Sequence, residues 1–181
     1  MVTQFQQRRW PGSGRKVMAK VRNPLPMTVA WNQPQRRELY LDHQIKLNHW
    51  TVGVEVGVRH GRVLFHLLDN NPTLKMYAVD CDITQFYNES VQQRYDSRLV
   101  VLAGESSDQA AHIAEPLDFC FIDASHSTKG VVRDIQAYGP RLKTTRGMIG
   151  HDADFPAVQA ALAICGVDFE VGPDNVWHQM N

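Results

Sequence analysis

The thirty residues from Thr51 to Asp80, TVGVEVGVRHGRVLFHLLDNNPTLKMYAVD, leave the chain few folds to choose from. Val52, Val54 and Val56 mark a short apolar run, and the period changes after Glu55-Val56-Gly57-Val58-Arg59-His60-Gly61. Val63, Leu64, Leu67 and Leu68 then share one face of a helix, so the segment reads as strand, tight turn and helix. Asn70-Asn71-Pro72 stops that helix, because proline has no N–H to donate and disfavours helical angles in the residue before it. Met76-Tyr77-Ala78-Val79 begins a second strand that ends at Asp80. Strand, helix and strand at this length make one right-handed βαβ unit.

Ligands of such a unit sit at the carboxyl ends of its strands. Gly57 and Gly61 are expected to leave the backbone open there, since a Cβ at either would fill space a ligand needs. Their G-x-x-x-G spacing differs from the G-x-G-x-x-G that seats a pyrophosphate on a helix N-terminus. Glu55, two residues before the first glycine, could meet a cationic group, and Asp80 at the tip of the neighbouring strand is placed to take both hydroxyls of a ribose. A ligand with a ribose and a positive charge but no phosphate suits this pair, and S-adenosylmethionine is such a ligand. The plain alternative is a surface carboxylate beside glycines that merely turn the chain.

On Glu55, Gly57, Gly61 and Asp80 the sequence resembles the class I S-adenosylmethionine-dependent methyltransferases. Their first strand carries E/D-x-G-x-x-x-G and their second ends in an acid on the ribose. The resemblance implies an α/β, Rossmann-like fold: a mostly parallel seven-stranded sheet with a terminal antiparallel hairpin. It also implies an adenine contact after the third strand, where Gly104, Glu105 and Ser106 stand in for the usual G-D-S or G-D-A, with Glu replacing Asp.

The length suits one domain with a real core, and 43% hydrophobic with 21% charged residues is ordinary for a globular protein. No apolar run is long enough to span a bilayer and no signal-peptide core is present, so a cytoplasmic protein is expected. Cys81, Cys120 and Cys165 are far apart and form no C-x-x-C; Cys120 and Cys165 read as small core residues and Cys81 as a neighbour of the ligand. The net charge of zero conceals an asymmetry. Residues 1–37 hold eight bases and no acid, so this part carries +8 and the remainder −8. Residues 1–34, rich in proline and glycine and without a period, read as a basic irregular arm, and residues 35–181 as the cofactor-binding domain. Gly12-Ser13-Gly14-Arg15-Lys16 lacks the spacing of a phosphate loop. With Trp10 and Trp31 the arm could touch nucleic acid or an anionic substrate, fold onto the acidic body, or pair with a second subunit as a homo-oligomer contact.

From Gln35 to His49 the pattern is helical, with Leu39, Leu41 and Ile45 inward, Asp42 and Lys46 paired outside, and His43 and His49 in solvent or packing roles. Thr84 is expected to cap a helix through Arg94, with Tyr87, Val91 and Tyr95 against the sheet. Strands at Leu99–Leu102, Leu117–Asp123 and Gly147–Gly150 alternate with helices at 108–114, 128–142 and 155–165, the last closed by Gly166. Val167–Val171 and Val176–Met180 form the hairpin.

Strand ends four and five should bring Asp123, His126, His151 and Asp152 to the place of a methyl acceptor. Carboxylates suit a hard divalent ion such as Mg²⁺ or Mn²⁺ and imidazole suits it less; the same groups could orient or deprotonate an acceptor without metal. Phe121-Ile122-Asp123-Ala124-Ser125-His126 and Gly150-His151-Asp152 resemble the F-I-D-A-x-H and G-H-D segments of a methyltransferase branch (methyltransferase domain family 24) that includes macrocin O-methyltransferase-like and cephalosporin hydroxylase-like proteins. That resemblance implies Asp123, His151 and Asp152 as metal ligands, Asp123 also in cofactor binding, and Asp123 and His126 in catalysis, with His126 the base. It implies O-methylation of a small molecule. Three rivals stay open: a nucleic-acid methyltransferase using the arm, though Ile122-Asp123-Ala124-Ser125 stands where amino-group methylases carry N-P-P-Y; a nicotinamide enzyme, against the glycine spacing; and a cofactor-binding protein without transferase activity.

Overall fold

Apolar residues that alternate along buried strands decide how the layers stack. The computed structural model describes residues 36–180, in the order α1 (Arg37–Asn48), β1 (Val52–Val56), α2 (Arg62–Asn70), β2 (Lys75–Asp80), α3 (Glu89–Tyr95), β3 (Leu99–Ala103), α4 (Ser106–Gln109), β4 (Phe119–Ile122), α5 (Thr128–Tyr138), β5 (Met148–Gly150), α6 (Pro156–Cys165), β6 (Phe169–Val171) and β7 (Trp177–Gln179). Val54, Val56, Tyr77, Val79, Cys120 and Ile122 pack on one side with Val131, Ile135 and Tyr138 of α5 and Val158 and Leu162 of α6. Met76, Ala78, Phe119 and Phe121 pack on the other with Leu41 and Ile45 of α1 and Val63, Leu64, Leu67 and Leu68 of α2. Both faces of the sheet are therefore covered, as a parallel sheet requires.

The strand order is β3-β2-β1-β4-β5-β7-β6. The first five strands in this row run parallel, β7 is antiparallel to β5, and β6 is antiparallel to β7. This is the mostly parallel, seven-stranded, Rossmann-like sheet with a terminal hairpin that the sequence led us to expect. Gly166 closes α6 in the left-handed conformation, at φ 65°.

Three local expectations are corrected. Leu39 is 43% exposed; Tyr40, Leu41 and Ile45 form the buried face of α1, because the helix starts at Arg37 and its N-terminal turn turns Glu38 inward. Thr84 does not cap a long helix. Asp82 accepts from the Thr84 backbone N–H (3.2 Å) to form a short 3-10 turn, and Asn88 accepts from the Val91 N–H (3.1 Å) to start α3 afresh. Two acceptors that reach the free N–H groups of a helix start divide what the periodicity joins. The helix expected at 108–114 begins instead at Ser106 and is a single turn continued as 3-10, held by Ser106 Oγ on Asp134 Oδ1 (2.5 Å).

Cys120 is buried, Cys165 is half-buried against the core, Cys81 is exposed, and all three are free. Among the described residues no helix is long and apolar enough to cross a membrane. The arm at 1–34, with Trp10, Trp31 and Gly12-Ser13-Gly14-Arg15-Lys16, lies outside the described residues.

Candidate functional site

Between β1 and β4 the strand order reverses, and the loops leaving the two strands part. A cleft of about 730 Å³ opens above the strand ends, a size typical of a small-molecule site. Its lining includes Glu55, Gly57, Asp80, Gly104, Glu105 and Ser106 at one end and Asp123, His126, His151 and Asp152 at the other. Both groups singled out from the sequence thus share one hollow; Gly61, by contrast, does not line it.

The room made by the glycines is used by the protein itself. Gly57 stands at φ 90°, and a Cβ there would lie 2.4 Å from the Asp123 carbonyl oxygen and 2.5 Å from Ala124 Cα. A Cβ on Gly61, at φ 74°, would strike the Phe65 ring at 2.4 Å. Both glycines let the loop after β1 turn left-handed and lie against the β4 loop and α2.

Asp80 ties that loop to β2. Its Oδ2 accepts from the N–H groups of Val58 (2.8 Å) and Arg59 (2.7 Å), and its Oδ1 accepts from Asp82 N–H (2.9 Å). Burial pushes the carboxyl up, but the amides of Arg59, Asp82 and Val58 outweigh it and hold the group below the usual carboxylate range. The Cys81 side chain also bonds the carboxylate, so four protein groups already engage it.

Glu55 points from β1 to the α1 and α2 side of the sheet and is 2% exposed. Its Oε2 is buried with no hydrogen-bond partner. Burial, then the negative charge of Asp123, pushes the carboxyl well above its ordinary range, against the pull of Arg37. The Leu64 backbone N–H also bonds the carboxyl and pulls the other way. Gly104 (φ 141°) and the exposed Glu105 close the β3 end of the cleft, whereas the Ser106 hydroxyl is held by Asp134.

At the other end Asp123 leaves β4 facing Arg37, whose Nη1 donates to Asp123 Oδ2 at 2.6 Å. Asp152, after β5, adopts φ 59°, a conformation costly for a residue with a Cβ. There its Oδ2 meets His126 Nε2 at 2.7 Å and its Oδ1 meets His151 Nδ1 at 2.9 Å. His151 Nδ1 also lies 3.4 Å from Asp123 Oδ1. Burial lowers the basicity of His151, but its hydrogen bond to Asp123 and that residue's charge raise it further, with a net upward shift. His126 is 57% exposed on its side chain and tilts against the exposed Phe155, ring centroids 5.8 Å apart.

Asp123, His126 and Asp152 each offer one ligand atom, and these lie within 4.8 Å of one another. His151 stands beside that trio, bonded to two of its members. The donor chemistry suits Mg²⁺ or Mn²⁺ only in part, and Asp123 is already paired with a guanidinium.

Sequence reading missed Arg37, Asp174 and Phe155. Arg37 counts there as part of the basic arm, yet its backbone N–H donates to Asp174 Oδ2 (3.2 Å) and its side chain enters the cleft. No local pattern marks a contact across 86 residues. Asp174 hides in the Gly-Pro-Asp-Asn turn of the hairpin, and Phe155 has the look of a buried helix-start residue.

A family model described as a methyltransferase domain matches residues 54–153. No curated protein matches the chain. Among solved structures, a suggested caffeoyl-CoA O-methyltransferase from Staphylococcus aureus aligns at 12% identity and TM-score 0.63, covering 81% of this chain and 84% of that one. CalS11, a TDP-rhamnose 3'-O-methyltransferase of calicheamicin biosynthesis, aligns at 14% and 0.58, covering 81% of each chain. The Podospora anserina methyltransferase PaMTH1, with S-adenosylhomocysteine bound, aligns at 10% and 0.59, covering 80% and 78%. At these identities the likeness is one of fold.

Proposed function

The chain belongs to this methyltransferase-domain family and is an S-adenosylmethionine-dependent methyltransferase; on that premise we propose that its acceptor is an oxygen of a small molecule. The observation that carries the reading is the meeting of two acid groups in one cleft, Glu55 with Asp80 for the cofactor and Asp123 with the His126–Asp152 pair for the acceptor. Bound S-adenosylmethionine supplies a methyl group on a cationic sulfur, open to in-line displacement by the acceptor oxygen. The protein's part is alignment and removal of one proton.

Glu55 takes the amino-acid end of the cofactor, giving up its own proton to face the ammonium group, and Asp80 takes a ribose hydroxyl. Gly104 and Glu105 flank the base. His126 Nε2 lies 2.7 Å from Asp152 Oδ2, so the opposite ring nitrogen, Nδ1, is the one proposed to accept the acceptor's proton. The imidazolium so formed is stabilised by Asp152, in the manner of an Asp-His pair. His126 would take the proton that the acceptor oxygen loses on receiving the methyl group. Phe155 beside the imidazole offers an apolar face to the acceptor's carbon skeleton. Divalent-metal assistance is no part of this reading, because Arg37 already neutralises Asp123. The three free cysteines agree with a reducing, cytoplasmic setting.

Calorimetry with S-adenosylhomocysteine tests the cofactor half. Asp80→Ala is expected to cost at least about tenfold in affinity, the loss of roughly 1.4 kcal/mol. Unchanged affinity would overturn the assignment of this end. For the acceptor half, His126→Gln should abolish turnover of a phenolic or sugar hydroxyl while leaving cofactor affinity in place.

A further inference from the structure

At the acceptor end of the cleft stands the Arg37 guanidinium, a cation that belongs to the chain. Arg37 Nη1 donates to Asp123 Oδ2 at 2.6 Å, and Arg37 Nε lies 3.3 Å from Asp174 Oδ2. Nε is shielded from solvent and has no aligned hydrogen bond. The side chain is only 23% exposed, and its helix cannot easily swing away. Leu41 and Ile45 anchor α1 in the core, Tyr40 Oη meets His178 Nδ1 at 2.9 Å, and Asn71 Nδ2 donates to Asp42 Oδ1 at 2.8 Å. Asp174, which holds both the backbone N–H and the guanidinium of Arg37, sits at φ 54° in the β6–β7 turn, so two separate elements fix the arginine.

We propose that Arg37 is the resident cation of the acceptor site, occupying the charge position that the Asp123, His126 and Asp152 ligand atoms would otherwise give to a divalent ion. A guanidinium stays charged at any working pH and presents five N–H donors in a plane. Asp123 takes one of them and Nε is turned to Asp174; the donors left on the two terminal nitrogens serve the acceptor: they hold its oxygen near the sulfonium carbon and favour the oxyanion character that develops as His126 takes the proton. A metal on Asp123 would bring two further positive charges against the guanidinium within a few ångströms, which Coulomb repulsion opposes. The acceptor class follows from the donors. A lone hydroxyl with an adjacent carbonyl or carboxylate fits a planar fork, whereas a vicinal diol has no metal to chelate it. The identity of the transferred group rests on the methyltransferase reading; the identity of the cation does not.

The experiment is a Mn²⁺ titration of the full chain by electron paramagnetic resonance after chelator treatment. Each sample is also titrated with S-adenosylhomocysteine. The wild-type protein is expected to bind no Mn²⁺ at about 1 mM, a dissociation constant weaker than roughly 4 kcal/mol of binding. Arg37→Ala should gain Mn²⁺ binding at least about tenfold tighter than wild type, and a further Asp152→Asn should remove it. Arg37→Gln, which keeps length and hydrogen bonding without charge, repeats the test should the alanine variant fold poorly. Wild-type Mn²⁺ binding that Asp152→Asn abolishes would overturn the proposal. So would absence of any gain in folded Arg37→Ala and Arg37→Gln chains. Loss of S-adenosylhomocysteine binding in the wild type would instead sink the cofactor assignment and leave the cation result readable.

Discussion

In the proposed function Glu55 is a side chain whose burial works against the fold for the sake of a ligand. It is enclosed by β1, Asp123 and Arg37, its Oε2 is unpaired, and burial raises its carboxyl well above the ordinary range. A raised acid contributes stability that is complete below its unfolded value and is lost as pH climbs toward its folded one. At neutral pH the ligand-free protein therefore carries a cost at this residue that a bound ammonium removes. Glu55→Gln is expected to raise the thermal midpoint of the ligand-free chain by about 2–4 °C near pH 7.5, as roughly 1 kcal/mol does at this length. The same change should weaken S-adenosylhomocysteine at least about tenfold, since a hydrogen bond to a charged group is worth some 1.5–3 kcal/mol. A lowered midpoint with unchanged affinity would show that Glu55 is an internal support and no ligand contact. Asp80 is the opposite case. Its lowered pKa records a carboxylate already employed by backbone amides, and its stabilisation disappears on acidification through its folded value.

Among the elements, two left-handed glycines differ in what surrounds them. Gly57 has both a left-handed φ of 90° and a close approach to the β4 loop, whereas Gly166 at φ 65° ends α6 with open space around it. Gly57→Ala is therefore expected to cost about 3 kcal/mol or more and to lower the midpoint by at least roughly 6 °C, because backbone must move as well as strain. Gly166→Ala should cost only about 1–2 kcal/mol, the bare price of left-handed φ for a residue with a Cβ. Equal losses for the two, read by chemical denaturation, would contradict the packing described for the β1 loop. Helix α1 and the β6–β7 turn also act as elements of the site: they are remote in the chain, yet they supply Arg37 and Asp174.

For the molecule as a whole, two buried acids shape the response to pH. Asp134 of α5 is pushed up to about 6 by burial, with Ser106 pulling the other way and Glu105 adding to the rise. Glu55 moves in the same direction. Both groups bind protons more tightly folded than unfolded, so the ligand-free midpoint should lose their contribution as pH rises, Asp134's between about 4 and about 6. Asp134→Asn should flatten that fall, restoring up to about 3 kcal/mol at neutral pH by the difference between about 6 and the ordinary 3.8. Saturating S-adenosylhomocysteine should recover the part that belongs to Glu55, and scanning calorimetry with and without it separates the two. A midpoint rising over the same interval would refute the account. Much of this molecule was legible in short-range pattern: the valines of β1, the stripe of α2, Pro72 and Gly166 as stops, and the five acids and histidines at strand ends, because periodicity and turn chemistry act over a few residues. What pattern could not supply was every relation between distant segments. That Asp80 would spend its lone pairs on the glycine loop, that Gly57 would make room for Asp123 and Ala124, and that Arg37 would leave the basic arm for the cleft depended on where the layers came to rest, since contacts across the sheet are set by packing and leave no local trace in the chain.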